Sequence, residues 1–237
     1  MKTDNSPEID SLQNIYNGEY YKSHCGKIPY ERSRLWLDFF GGVADEIIRH
    51  LKPKNVFDAG CALGFLVESL WDRGVRTKGR DFSTFAISQV RPDIAAFCEV
   101  GSITDSFNGT YDLVTCIEVI EHIPEVEALK AIEAMTAATS VILFSSSPTD
   151  LTEPTHINVK PPIYWLMRFA ERGFAPDVLV DASFLAPQAF VMRRTESAID
   201  LVHLQLFAQS IRLKIALADR EERLNAIRNE ASSTADV

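Results

Sequence analysis

The sequence predicts an α/β fold, a doubly wound sheet of mainly parallel strands with helices on both faces, closed by one long C-terminal helix. Three observations carry this reading. From residue 56 onward, short β-branched or apolar runs alternate with longer amphipathic stretches, the pattern of a parallel sheet covered on both sides. The chain has 237 residues, 46% of them hydrophobic, so one core can form without disulfides or a structural metal. Beyond residue 196 turn formers become scarce and apolar residues recur at helical spacing.

The elements follow in order. Residues 30–51 read as a long helix, interrupted in principle by Gly41 and Gly42, which each cost roughly 1 kcal/mol relative to Ala in a helix. Residues 54–59 read as the first strand, 64–73 as a helix and 75–79 as the second strand. A helix over 84–90 is stopped by Pro92, and 95–100 reads as the third strand. Residues 111–116 form the next buried strand, 124–137 a helix with Pro in its first turn, and 140–145 another strand. After a loop rich in Ser, Pro and Thr come a helix over 161–172, ended by Gly173, and a final strand over 188–194. Residues 196–229 read as a single helix with Leu201, Leu204, Phe207, Ile211 and Ile215 in a stripe. The division is an N-terminal lid or arm (1–33), a catalytic domain (34–195) and the helix (196–237). We expect that helix to serve self-association or contact with another domain, because it lies beyond the last strand the core needs. Packing back on its own domain is the alternative.

Composition excludes several classes. Lys and Arg number 24 against 33 Asp and Glu, a net charge of −9, which opposes binding to nucleic acid or an anionic membrane. No apolar run approaches membrane length. The first ten residues carry Asp4, Pro7, Glu8 and Asp10 without a basic start or apolar stretch, so a cytoplasmic protein is expected. Cys25, Cys61, Cys98 and Cys116 show no C-x-x-C spacing and read as reduced packing residues.

The run Val56-Phe57-Asp58-Ala59-Gly60-Cys61-Ala62-Leu63-Gly64-Phe65-Leu66 places a carboxylate at a strand end, two glycines four apart, and a helix start. Glycine permits close approach of a ligand to the backbone, and the free amides of the helix start receive negative groups. The spacing matches neither the nucleotide phosphate loop nor the dinucleotide fingerprint. It resembles the first motif of class I S-adenosylmethionine (SAM) dependent methyltransferases. Gly79-Arg80-Asp81-Phe82-Ser83 is similar to that family's second motif, in which the acid at the strand end accepts from the ribose hydroxyls. Val100-Gly101-Ser102-Ile103 falls where the family lines adenine, and the segment from Tyr111 to Cys116, Ile117 and Glu118 resembles its fourth motif, beside the methionine portion. The resemblance covers residues 34–194 and implies a Rossmann-like sheet of seven strands, the last antiparallel. It implies SAM contacts at Asp58, Gly60, Cys61, Gly64, Phe65, Leu66, Asp81, Phe82, Ser83, Gly101, Ser102, Ile103, Cys116 and Ile117. Ala62 departs from the pattern, since the family often has glycine there.

Glu118-Val119-Ile120-Glu121-His122 follows the fourth strand, at the edge where open α/β sheets bind ligands. A helical turn there would gather Glu118, Glu121 and His122 on one face. Two carboxylates and an imidazole suit Mg²⁺ or Mn²⁺. The segment resembles that of ubiquinone-biosynthesis and small-RNA O-methyltransferases, where these residues hold a divalent metal and, in the RNA enzymes, a later histidine completes the set. Here His156, in Glu153-Pro154-Thr155-His156-Ile157-Asn158, would be that ligand. Two readings stay open, a metal site and a metal-free general base. In either, His122 and His156 are the catalytic candidates, with Glu121.

The N-terminal stretch is dense in aromatics, and Tyr20, Tyr21, Tyr30 and Arg32 are candidates to contact the acceptor from a lid. Residues 30–174 as a whole resemble bacterial methyltransferases found with polysaccharide-assembly enzymes. That resemblance implies O-methylation of a glycan or sugar nucleotide, in peripheral association with those enzymes. A phenolic or quinone-type acceptor is the second reading, and a degenerate fold acting as an assembly module the third. Nucleic acid is disfavoured by charge.

Overall fold

The computed structural model describes residues 15–24 and 28–235, with side chains to residue 229. Cys25 lies outside the described residues.

A seven-stranded sheet forms in the order β3-β2-β1-β4-β5-β7-β6. The strands are β1 (Asn55–Ala59), β2 (Arg76–Asp81), β3 (Cys98–Val100), β4 (Leu113–Ile117), β5 (Val141–Ser145), β6 (Phe174–Pro176) and β7 (Phe190–Arg194). β1 to β5 pair in parallel, and β7 runs antiparallel to both β5 and β6. The seven-stranded sheet with an antiparallel last strand is therefore present. The helices are α1 (Gly18–Ser23), α2 (Arg34–Leu51), α3 (Phe65–Trp71), α4 (Thr84–Ser88), α5 (Glu125–Ala138), α6 (Pro162–Ala170) and α7 (Leu201–Ala235).

Consecutive residues of the central strands face opposite ways, and each face has its own core. Phe57, Val114, Ile142, Phe144 and Met192 join Ile132 of α5, Trp165 and Phe169 of α6 and Ile211 of α7. Their neighbours Val56, Leu113, Leu143 and Val191 join Phe40 and Ile47 of α2 and Phe65 and Leu70 of α3. Apolar residues at every position of these strands are what a sheet covered on both faces requires. The strand order reverses between β1 and β4, so their C-terminal ends border the crevice in which such folds bind ligands.

Two expected boundaries shift for local reasons, and one short strand is added. α2 starts at Arg34 rather than residue 30, because Ser33 caps it by accepting from the Trp36 amide. The Gly41-Gly42 pair does not interrupt it. Gly41 is where the Arg73 guanidinium approaches, 3.3 Å from the position of an added Cβ. The expected third strand begins as a 3₁₀ turn over Ala95–Phe97 and extends only at Cys98. β6 was not foreseen, since three residues ending in proline show no period.

α7 divides the two readings of the C-terminal helix between its faces. Leu204, Ala208 and Ile211 are buried in the domain's own core, with Phe207 and Ile215 packed against it. Leu201, Leu213, Leu217, Leu224 and Ile227 are exposed. The stripe read from sequence is thus largely an internal packing face, and only the outer face is open to a partner. Among the described residues, no helix is long and apolar enough to cross a membrane. Cys61, Cys98 and Cys116 are free and buried.

Candidate active site

The loop after β1 turns through three left-handed residues, Gly60 (φ +84°), Ala62 (φ +46°) and Gly64 (φ +75°). A Cβ at Gly60 would sit 2.3 Å from Val119 Cγ2, so glycine is required there for space as well as for φ. The Gly60 and Cys61 amides donate to the Arg80 carbonyl, and the Ala62 amide donates to Asp81 Oδ2 at 2.8 Å. Asp81 Oδ1 accepts from the Ser83 amide at 2.8 Å. One carboxylate thus joins the loops after β1 and β2. Each oxygen keeps a lone pair for a further donor, such as a ribose hydroxyl.

Asp58 is buried at the end of β1 and accepts from Thr115 Oγ1 at 2.6 Å. Burial pushes its carboxyl up to about 7, against the pull of the Thr115 hydrogen bond, and the Asp81 charge adds to the rise. Asp81 is raised too, by burial, against the two amides that it accepts. Such a pair is relieved by a cationic ligand.

The remaining expected cofactor contacts separate into backbone and side-chain classes. Phe65, Leu66 and Ile103 are buried in the cores, so they can offer a ligand only main chain. Cys61 packs with Val67 and Cys98, and Gly79 makes room for its sulfur, which would lie 2.6 Å from an added Cβ. Cys116 is fully buried inside β4, whereas Ile117 and Phe82 are half-buried at strand ends. The Gly101 amide donates to the Asp81 carbonyl, and Ser102 bonds Thr104. Ser83 caps α4 and donates to the Tyr16 carbonyl at 2.6 Å.

Beyond β4 the helical turn expected for Glu118, Glu121 and His122 does not form. Glu118 is left-handed (φ +51°), and a single 3₁₀ turn over Ile120–His122 follows. Glu118 accepts from Gln188 Nε2 at 3.0 Å, and its carboxyl stands against that of Glu121. The groups gathered into one cluster are Glu121, His122 and His156, each with a ligand atom within 4.8 Å of the others. Glu118 sits beside this set rather than within it.

Glu121 is fully buried. Its Oε1 accepts from the Ser147 amide at 2.8 Å, while Oε2 has no hydrogen-bond donor among the described residues. Burial, then the Glu118 charge, raises its carboxyl well above the usual range. His122 Nδ1 lies 3.0 Å from Thr155 Oγ1, and His156 Nδ1 lies 2.8 Å from the Asp150 carbonyl. A carbonyl only accepts, so His156 carries a proton on Nδ1. Burial, with His156 close by, lowers His122 to about 4, so it is neutral at neutral pH.

The lid residues divide. The rings of Tyr16 and Tyr20 each stand edge-on to His122 at 6.2 Å, and the Tyr16 hydroxyl donates to the His122 carbonyl at 3.3 Å. Burial raises that phenol to about 12. Tyr21 and Tyr30 pack instead against Phe85 and Phe65. Arg32 is forked on the buried Glu68 carboxylate by two bonds of 2.6 Å, which assigns it to anchoring the lid rather than to an acceptor.

A family profile described as "Methyltransferase domain" matches residues 31–195. The chain belongs to this methyltransferase family. A ubiquinone biosynthesis O-methyltransferase from Neisseria meningitidis is 28% identical over 176 residues, covering 70% of this chain and 71% of that protein. One of the same name from Burkholderia ambifaria is 38% identical over 84 residues, 32% and 36% of the two chains. Among solved structures, a SAM-bound amino pentose methyltransferase from Micromonospora echinaspora shares the fold with a TM-score of 0.55 at 17% identity, over 69% and 93% of the chains. The magnesium protoporphyrin IX methyltransferase of Synechocystis, with S-adenosylhomocysteine (SAH) bound, shares it at 0.54 and 17%, over 81% and 96%.

This methyltransferase is a SAM-dependent enzyme, and its glycine loop, Asp58 and Asp81 are the residues at which the sequence reading expects the cofactor. Sequence reasoning gave no role to Thr155, Ser147 or Gln188, and it did not single out Tyr16 among the N-terminal aromatics. Thr155 lay inside a quoted run, next to His156. The other two are long-range partners with no local signal.

Proposed function

We propose that the enzyme methylates a hydroxyl of a glycan or sugar nucleotide, with Glu121, His122 and His156 holding a divalent cation against that hydroxyl. One observation carries this reading: Glu121, His122 and His156 each bring a ligand atom within 4.8 Å of the others, and the buried Glu121 Oε2 has no hydrogen-bond donor among the described residues. Buried acceptors without donors call for a cation, and a carboxylate with two imidazoles is a donor set for one of borderline hardness, Mn²⁺ among them. Such an ion, when bound, lowers the pKa of a coordinated hydroxyl. The chain's own groups then do the rest. Asp58 and Asp81, both raised by burial, favour a cationic sulfonium cofactor at the adjoining strand ends. Tyr16 and Tyr20 cover His122 and exclude water from it. SAM supplies the electrophilic methyl, and transfer needs the acceptor oxygen in line with it.

The acceptor choice rests on the mouth of the site. Asp150, Thr152, Glu153 and Thr155 surround His156 with acidic and hydroxyl groups, which suit a polyhydroxyl acceptor. A phenolic or quinone-type acceptor is the second reading, favoured by the names of the relatives and by exposed Leu151 and Ile157 beside His156. The glycan reading also implies action at the cytoplasmic side, among polysaccharide-assembly enzymes.

The test is calorimetric titration of Mn²⁺ into chelator-treated, SAH-saturated protein, followed by methyl transfer to a panel of oligosaccharides and catechols. Binding near one equivalent that is lost in Glu121→Gln supports the metal reading. Absence of binding leaves His122 as a metal-free base, and preference for catechols overturns the glycan assignment.

A further inference from the structure

Within Glu153-Pro154-Thr155-His156-Ile157-Asn158, His156 is the proposed ligand, and Glu153, Thr155 and Ile157 have so far served only as its surroundings. The rest of the run is docked on the 3₁₀ turn that carries His122. The Asn158 amide donates to the Glu121 carbonyl at 2.9 Å, and buried Asn158 Nδ2 donates to the Ile120 carbonyl at 3.2 Å. The Ser147 amide reaches the Glu121 carboxylate from the start of the same loop. Between these two attachments Thr155 faces His122, with Oγ1 3.0 Å from Nδ1.

A hydroxyl can donate to a ring nitrogen or accept from it. Here its proton has another destination. Glu153 Oε1 lies 3.0 Å from Thr155 Oγ1 and also receives the Thr155 amide at 3.3 Å. A carboxylate only accepts, so the hydroxyl proton points to Glu153, and Oγ1 turns a lone pair to His122 Nδ1. The opposite arrangement would set the Glu153 oxygen against lone pairs of Oγ1. Threonine is also stiff at χ1, which holds the hydroxyl in this direction.

We infer that Thr155, oriented by Glu153, is a positioning residue that fixes His122 as the Nδ1–H tautomer and so keeps its Nε2 lone pair facing the site. The inference rests on the proposed function in that a lone pair on Nε2 is what a base or metal ligand needs there. It gives the two histidines matched tautomers, His156 through the Asp150 carbonyl and His122 through the Thr155 hydroxyl, with the Thr155 main chain a further hydrogen-bond partner of His122.

The experiment is ¹⁵N correlation spectroscopy of the histidine rings in metal-free full-length protein at neutral pH, with His122 assigned by its loss in His122→Gln. The expected signals are a protonated Nδ1 and an unprotonated Nε2 for His122. Thr155→Val should shift the population toward Nε2–H, and Thr155→Ser should restore the wild-type pattern. SAH affinity, which does not involve this hydroxyl, should be unchanged in both and reports on folding. Turnover should fall about tenfold or more in Thr155→Val and recover in Thr155→Ser. An Nε2–H tautomer in the wild type, or an unchanged one in Thr155→Val, overturns the inference. Methyl acceptance by no hydroxyl compound, with the expected tautomers present, instead overturns the function on which it rests.

Discussion

The His122 and His156 rings meet 4.6 Å apart with their planes at 64°, and each has its Nδ1 engaged by the loop that follows β5. Burial is the larger reason that His122 titrates at about 4, and this neighbour is the second. Proton NMR of the metal-free protein should give His122 a midpoint near pH 4, raised in His156→Ala. A His122 midpoint at its ordinary value of about 6.5 would remove the premise. The folded pKa lies below the unfolded one, so the unfolded chain binds more protons between them. The contribution of His122 to stability is complete above pH 6.5 and declines as pH falls toward 4.

Asp58 has the opposite sign. Its folded pKa is raised from 3.8 to about 7, so the stability linked to it is present below pH 3.8 and lost as pH rises through 7. Asp58→Asn keeps an acceptor for the Thr115 hydroxyl and removes the buried charge. In thermal melts of the cofactor-free protein, this variant should exceed the wild type at pH 8, by on the order of 3 kcal/mol, and match it at pH 4. SAH binding should weaken. Equal stabilities at pH 8 would show that Asp58 is not held up by burial.

The glycine loop gives a paired test. Gly60→Ala drives a Cβ into Val119 and should abolish SAH binding measured by calorimetry. Ala62→Gly removes an L-residue from a left-handed position and should be neutral to stabilising, by up to about 1 kcal/mol. A gain is also expected for Gly42→Ala, of about 0.5–1 kcal/mol, since an added Cβ there meets nothing within 4 Å on α2.

Arg32→Ala separates the lid from the cofactor domain. Glu68 is buried and keeps Arg91 as a second partner at 3.2 Å, and Arg32 itself is half-exposed, so the loss should be only about 1–2 kcal/mol. The larger effect should be on the KM for the acceptor, through looser placement of Tyr16 and Tyr20 over His122. Unchanged steady-state kinetics would detach the lid from catalysis.

For α7, Leu204→Ala or Ile211→Ala should cost about 2–4 kcal/mol in denaturant melts, because both are buried in the core. Removal of residues 218–237 should leave the melting temperature unchanged. It should lower the number of subunits found by sedimentation if Leu224 and Ile227 serve self-association, and an unchanged subunit number refutes that use of the helix.

What the sequence made legible were features with a local signature. Val56 to Gly64 announced both the central strand and its turn, because apolar run, carboxylate and glycines are contiguous. Asp81 was equally plain at a strand end. Glu118 was misplaced because a left-handed glutamate has no compositional mark, and the i, i+3, i+4 argument assumes a helix that never forms there. Tyr21, Tyr30 and Arg32 were indistinguishable from lid residues until Phe85, Phe65 and Glu68 came into contact with them. Those partners lie more than thirty residues away. β6 was hidden by its brevity and its proline.

The antiparallel course of β7 has a consequence for how this scaffold can be retooled. Because β7 begins opposite the end of β5, the connection of residues 177–189 lies along the same rim as the parallel strand ends. It delivers Gln188 to Glu118 and leaves Leu179 90% exposed at its tip, while Leu185 and Ala189 anchor it to the core. The tip itself belongs to the other side of the domain, since Val178 lines a cavity with Ile199, His203 and Phe207 at the start of the C-terminal helix. One connection thus links that helix to the rim, and Gln188 is the position in it whose exchange would be felt at Glu118.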